Sequence, residues 1–225
     1  MANWVLFAAG AADVDVPSSA LKGSRVTRYT VEACRAITGP APSILAGPLV
    51  RIESAAPVEL AGVPASHQFR GTAQHLNYTS TPQRADLEAR SRTPLIDGAA
   101  DPSDVICVMI PIAKSAAWWA LSTDVRTGHF QRAAADGPAM SLAAHHQHTA
   151  IGAPYVERIY RKLYHSRYHG GPDSPIPYDF VTYFEFLEAD RLAFDELLAG
   201  LRDTKLNPEW AYVTNEFEVW MRGAR

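Results

Sequence analysis

The sequence predicts an α+β protein with antiparallel sheets and helices outside them, arranged as two ferredoxin-like halves. Three observations carry this. The second half reads as helix, strand, strand, helix, strand, and the first half carries a weaker echo of that series. Segments with apolar and β-branched residues alternate with amphipathic ones, a mixture that packs as a sheet with helices on one face. With 225 residues, 47% of them hydrophobic, the chain buries a sizeable core as one large domain or two fused halves. No sequence repeat links the halves, which divide at 1–103 and 104–225.

Taken in order, Asn3–Ala9 is a first strand. Residues 10–66 are hard to parse, because the short apolar runs Ile44–Ala46, Leu49–Ile52 and Val58–Leu60 are broken by Gly and Pro. His67–Ala73 reads as a strand. Ser80–Arg92 is a helix, with Pro82 in its first turn. Val105–Ile110 is a continuous apolar run between Asp104 and Pro111, which suits a strand buried on both faces. Ser115 to about Ile151 is helical in pieces, broken at Gly137-Pro138. Val156–Tyr164 and the aromatic Tyr178–Leu187 are strands. Asp190–Leu201 spaces Leu192, Phe194, Leu197, Leu198 and Leu201 for one helical face. Trp210–Trp220 is the last strand.

Composition excludes several functions. Net charge is −3, from 21 basic and 24 acidic residues, which leaves no electrostatic footprint for nucleic acid. Two cysteines, Cys34 and Cys107, exclude a disulfide scaffold and a Cys-rich zinc site. No apolar run approaches the roughly 18 residues of a membrane span. The first ten residues lack a basic n-region, and Asp13 and Asp15 follow, so the expected compartment is the cytoplasm.

Three clusters hold residues capable of chemistry. His145-His146-Gln147-His148 places His145 and His148 on one helical face, yet no Asp or Glu stands at a zinc-motif spacing, and His pairs on exposed helices are commonly inert. Periodicity does not choose among these histidines. Lys114-Ser115-Ala116-Ala117-Trp118-Trp119 reads as a helix start capped by Ser115, with two indoles about 100° apart, so one faces a pocket or an interface while the other is core. On a strand, Arg161, Leu163 and His165 share one face, and Tyr160, Lys162 and Tyr164 the other. Arg161 then either snorkels to solvent at a strand edge or meets an anionic ligand.

In their order and spacing these segments resemble the chlorite dismutase family of haem proteins, of the dimeric α+β barrel type. The resemblance runs from about Val105 to Trp220. It rests on Ile110 to Trp119, on Ser122-Thr123-Asp124-Val125-Arg126, on Arg161 to Ser166, on Asp179 to Glu185 and on Glu209-Trp210-Ala211-Tyr212-Val213. Phe69-Arg70-Gly71 and Asn77-Tyr78 match more weakly.

The resemblance implies haem b (iron protoporphyrin IX) in the 104–225 half, held by a proximal His, with a distal Arg thirteen residues later. Arg161 then selects His148 as the metal ligand. Glu209 matches the acidic partner of that His, Trp118 the Trp packed on the porphyrin, and Lys114 and Tyr78 groups near the propionates. The implied activity is conversion of chlorite to chloride and dioxygen through a ferryl intermediate, with Arg161 as the catalytic residue. Ile110 before Pro111 departs from the Tyr of decarboxylases that share this fold. A stretch at about 129–142 is longer than expected of the family. The expected partners are a small anionic substrate (chlorite) or peroxide, and further copies of the chain as a dimer or pentamer. Two other functions remain open: a haem peroxidase-like or haem-sensing protein without chlorite turnover, and a non-haem α+β barrel binding module.

Overall fold

Alternation of inward and outward side chains along eight strands closes the sheet into a barrel. The computed structural model describes residues 4–10, 23–40, 47–58, 60, 68–73, 92–131, 147–167 and 178–224. Within these the strands are β1 (Trp4–Ala9), β2 (Arg25–Thr38), β3 (Gly47–Ser54), β4 (Gln68–Thr72), β5 (Val105–Lys114), β6 (Tyr160–His165), β7 (Phe180–Leu187) and β8 (Val213–Gly223). Every pairing between them is antiparallel. Around the barrel the order is β4-β1-β3-β2-β8-β5-β7-β6, and β6 returns to β4. The last four strands therefore repeat the spatial order of the first four, which makes the fold two ferredoxin-like halves joined edge to edge.

Period-two alternation explains the buried run at β5. Val105, Cys107 and Met109 point into the barrel, where they meet Phe7, Tyr29, Tyr183 and Phe217. Ile106, Val108, Ile110 and Ile112 point outward under a helix. Both faces are covered, so the strand is apolar at nearly every position, as the sequence predicts. The outer cover is α4 (Arg191–Arg202). Its residues Ala193, Phe194, Leu197, Leu198 and Leu201 are buried, and Phe194 stacks on Phe186 at 4.4 Å between ring centroids. Leu192 is not part of that face: it is 71% exposed, and Ala193 takes the core position in the first turn. Before α4 come α1 (Ala116–Ala120), α2 (Thr123–Gly128) and α3 (Gln147–Gly152). Ser115 caps α1 by accepting from Trp118 N, as expected from its position.

Several expected boundaries move. β6 begins at Tyr160, not Val156, because a 3-10 turn at Ala153–Tyr155 carrying Pro154 precedes it. β8 begins at Val213, because Pro208–Tyr212 is a 3-10 segment. The helix expected over 80–92 and the Gly137-Pro138 break fall almost wholly outside the described residues. β2, fourteen residues long, was hidden in the unparsed stretch. No helix among the described residues is long and apolar enough to cross a membrane.

The barrel interior also holds a charged network. Arg51, almost fully buried, pairs with Glu53 at 2.9 Å and with Glu185 at 3.5 Å. Tyr164 Oη accepts from Arg51 at 3.0 Å, and Tyr183 Oη donates to Glu185 at 2.9 Å. Burial pushes the Cys107 thiol beside them up to about 12, so it is an inert core thiol.

Candidate functional site

The site is assembled where the end of β5, the start of α3 and the 3-10 segment before β8 meet. β5 ends at Lys114, whose backbone N–H donates to Asp179 Oδ2 at 2.7 Å. Register with β8 pairs Lys114 with Val213, four residues beyond Glu209. Pro208 starts the 3-10 segment and turns Glu209 inward, where it is buried. Lys114 Nζ forms an ion pair with Glu209 Oε2. On the other carboxylate oxygen, Oε1 lies 2.6 Å from His148 Nε2. Thus His148, Glu209 and Lys114, far apart in sequence, form one continuous imidazole–carboxylate–ammonium line.

Aromatic rings enclose that line. Lys114 Nζ sits 3.7 Å from the centre of the Trp118 ring, a cation–π contact. Trp118 also meets Phe130 edge-on and lies 5.3 Å from Tyr212 between ring centroids. Phe130 packs edge-on against His148 at 5.0 Å. Burial pulls the Lys114 ammonium below the ordinary lysine range, and the Asp179 carboxylate opposes that pull. A carboxylate in direct contact opposes it in the same sense. Of the two adjacent indoles, Trp118 is the buried one. Trp119 is half-buried, stacks on Phe180, and donates from Nε1 to Asp179 at 3.2 Å. The Arg167 guanidinium lies 4.0 Å over its ring.

Arg161 stands on β6 with its guanidinium 6.0 Å from the Phe184 ring. Phe184 belongs to the apolar cluster beneath α4, so Arg161 emerges on the outer face of the barrel, as period two requires. Tyr160 and Tyr164 point the other way, into the core, and Lys162 reaches Glu53 at 3.0 Å. Arg161 is exposed and charged at neutral pH. It has no carboxylate partner among the described residues.

The sequence reading put Lys114 near ligand carboxylates; in the structure its ammonium pairs with Glu209. Tyr78 and the competing His145 and His146 lie outside the described residues. Asn207, missed in the sequence, joins the site: its Oδ1 is 2.9 Å from His148 Nε2. Its only sequence signal is its place just before Pro208-Glu209. Among the described residues no group of three or more His, Cys, Asp and Glu gathers as a metal cluster. An open cleft of about 540 Å³ lies against α2 and α3, and neither His148 nor Arg161 lines it.

A chlorite dismutase of Ideonella dechloratans is 31% identical over 149 residues, which are 64% of this chain and 42% of that protein. The chain thus spans less than half the length of that curated relative. The structure of dimeric chlorite dismutases from Nitrobacter winogradskyi superposes with a TM-score of 0.67, at 24% identity, covering 98% of this chain and 99% of that one. A chlorite dismutase from Candidatus Nitrospira defluvii gives 0.60 at 19% identity, over 99% and 91% of the two chains. The chain is similar to chlorite dismutases in sequence over part of its length and in fold over nearly all of it. No family model matches it. At these identities the solved structures establish the fold. The curated relative carries the kinship in sequence.

Proposed function

We propose that the chain is a haem b oxidoreductase of the chlorite dismutase type, converting chlorite to chloride and dioxygen. The observation that carries this is the pairing of His148 with a buried Glu209–Lys114 ion pair, together with an Arg161 that has no carboxylate partner among the described residues. A porphyrin iron needs one basic nitrogen held in place by an acceptor behind its ring, and His148 with Glu209 meets that need. A haem bound there would supply redox chemistry at iron for oxygen transfer from chlorite.

The protein's own groups then have distinct tasks. His148 would hold the iron. Glu209 accepts its ring proton and raises its basicity. Lys114 balances the Glu209 charge, which is the task we assign to it in place of propionate binding. Trp118 walls the site beside Lys114. Tyr78 keeps its assignment near the propionates. Arg161 is permanently charged and offers a fork of donors, so it draws a small anion toward it and holds the anionic product close. The cofactor belongs to residues 104–225, with 1–103 as the half that carries none. The free thiols Cys34 and Cys107 suit a reducing compartment, the cytoplasm. The name of the Nitrobacter winogradskyi structure and exposed Leu192 and Leu206 support a homo-oligomer.

The test is purified protein reconstituted with haem. It should develop a Soret band, release oxygen on addition of chlorite, and lose the band in His148→Ala. Haem binding with no oxygen release refutes the chlorite reading and leaves a peroxidase-like or sensing protein. No haem uptake refutes both and leaves a binding module.

A further inference from the structure

We propose that Asp179 is a positioning residue for Trp118: its one carboxylate anchors Trp119 and the end of β5, and so fixes the short helix that presents Trp118 to the site. The proposal rests on the haem reading only for what Trp118 does there.

Asp179 stands at the entry to β7 and is only 7% exposed. Its Oδ2 accepts from the Lys114 backbone N–H at 2.7 Å and from Trp119 Nε1 at 3.2 Å. Its Oδ1 accepts from Arg167 Nη1 at 3.0 Å. Its backbone is engaged as well. The N–H donates to Ile112 O at 2.9 Å, and the carbonyl accepts from Ser166 N at 2.8 Å and from Arg167 N at 3.2 Å. One residue therefore ties together the end of β5, helix α1 and the chain leaving β6. Hydrogen bonds to a charged acceptor are the strong ones, so the carboxylate makes this knot tight.

Trp119 is gripped by more than the carboxylate. The Arg167 guanidinium lies 4.0 Å from the centre of its ring, and Phe180 stacks on it at 6.0 Å between centroids and 21° between planes. Helix α1 has five residues, too few to hold a direction of its own. Its start is fixed at Ser115, whose N–H donates to Tyr212 O at 2.8 Å. Its far end is fixed through Trp119. Trp118 comes one residue earlier and points about 100° away, toward the Lys114 ammonium, 3.7 Å from its ring centre. Among the described residues the Trp118 side chain makes ring contacts and no hydrogen bond. Its direction therefore comes from packing and from the helix, and the polar anchor of that helix is the neighbouring indole on Asp179.

The test has two arms. The first uses the full chain without haem, with its tryptophans ¹⁵N-labelled, and follows the indole N–H signals. Those of Trp118 and Trp119 are identified by their loss in Trp118→Phe and Trp119→Phe. Asp179→Asn keeps the shape and sets an amide donor against Arg167. It should move the Trp119 and Trp118 signals and leave those of Trp4 and Trp220 in place. Movement of Trp119 alone, of neither, or of all four overturns the proposal. Arg167→Gln removes the cation from the same carboxylate at a half-exposed position. It should move the same two signals, and it decides the question if Asp179→Asn does not fold. The second arm loads the protein with haem and measures the rate at which haem passes to excess apomyoglobin. Asp179→Asn should raise that rate about two- to tenfold, the worth of one aromatic contact. In a Trp118→Ala background the same substitution should add nothing, because Asp179 acts through Trp118. An unchanged rate, or an equal rise with and without Trp118, overturns the proposal. A chain that takes up no haem refutes the haem reading, and the indole signals then decide the Asp179 assignment alone.

Discussion

Replacing Glu209 with Gln tests whether the buried ion pair organises the site. The substitution keeps the shape and leaves the Lys114 ammonium in a pocket where its side chain is only 4% exposed. Removing one member of a buried pair costs about 3–5 kcal/mol, because the other charge stays desolvated. The lysine has one escape, which is to lose its proton. At pH 7 that costs up to about 4.6 kcal/mol, from an ordinary lysine value of about 10.4 at about 1.36 kcal/mol per unit. At pH 9 the same escape costs at most about 1.9 kcal/mol. The sign follows from proton counts. In the variant the folded chain holds fewer protons on Lys114 than the unfolded chain between the lowered and the ordinary value. In the wild type burial already lowers the same group, so only the interval between the variant's value and the wild type's separates the two chains. Urea unfolding followed by tryptophan fluorescence should show a loss of about 3–5 kcal/mol at pH 7. A loss below about 1 kcal/mol at pH 7 would refute the reasoning.

Three further outcomes are expected. Arg161→Leu should retain haem yet lower chlorite turnover by about 10²–10³, the usual effect of removing one charged donor from a reacting centre, and oxygen-electrode rates measure it. Gly71→Ala should destabilise the closure of the barrel, because the new Cβ would lie 2.7 Å from Tyr164 Cβ and 3.1 Å from His165 O, beside the single β4–β6 pairing Thr72↔His165. We expect a loss of about 1–3 kcal/mol, seen as a melting temperature lower by about 3–10 °C. Arg51→Met should cost about 3–5 kcal/mol at pH 7 by leaving Glu185 buried without its cation, while Glu53 keeps Lys162. Burial alone pushes Glu53 up, but Arg51 and Lys162 outweigh it and hold the carboxyl below its ordinary value. The stability it contributes is therefore present above the carboxylate range and lost as pH falls through it, so the gap between Arg51→Met and wild type should narrow as pH falls below 4.5 in urea titrations.

Sequence patterns revealed much of the second half because its elements carry strong, local signals. β5 is apolar on both faces, β7 is aromatic and β-branched, and the core stripe of α4 repeats at helical spacing. Leu192 fits that spacing and still faces solvent, because a first turn has no layer above it to cover every apolar position. β2 escaped for the opposite reason. Its outer face carries Arg28, Thr30 and Glu32 in water, and of its residues only Tyr29 is fully buried. At the site, the face of Arg161 was readable from period two. The ion pair of Lys114 with Glu209 was not, because the partners lie on different elements and meet only through the β5–β8 register. Asn207 was invisible for the same reason: an asparagine before a proline looks like a turn residue until the end of α4 is seen to orient its amide.

The most direct test of the central claim is a haemin titration of the purified chain beside His148→Ala, followed in the visible spectrum. The account predicts that wild type saturates at one haem per chain with a sharp Soret band, and that His148→Ala fails to form it. No band in wild type, or an unchanged band in His148→Ala, would contradict the assignment of His148 as the group that holds the iron.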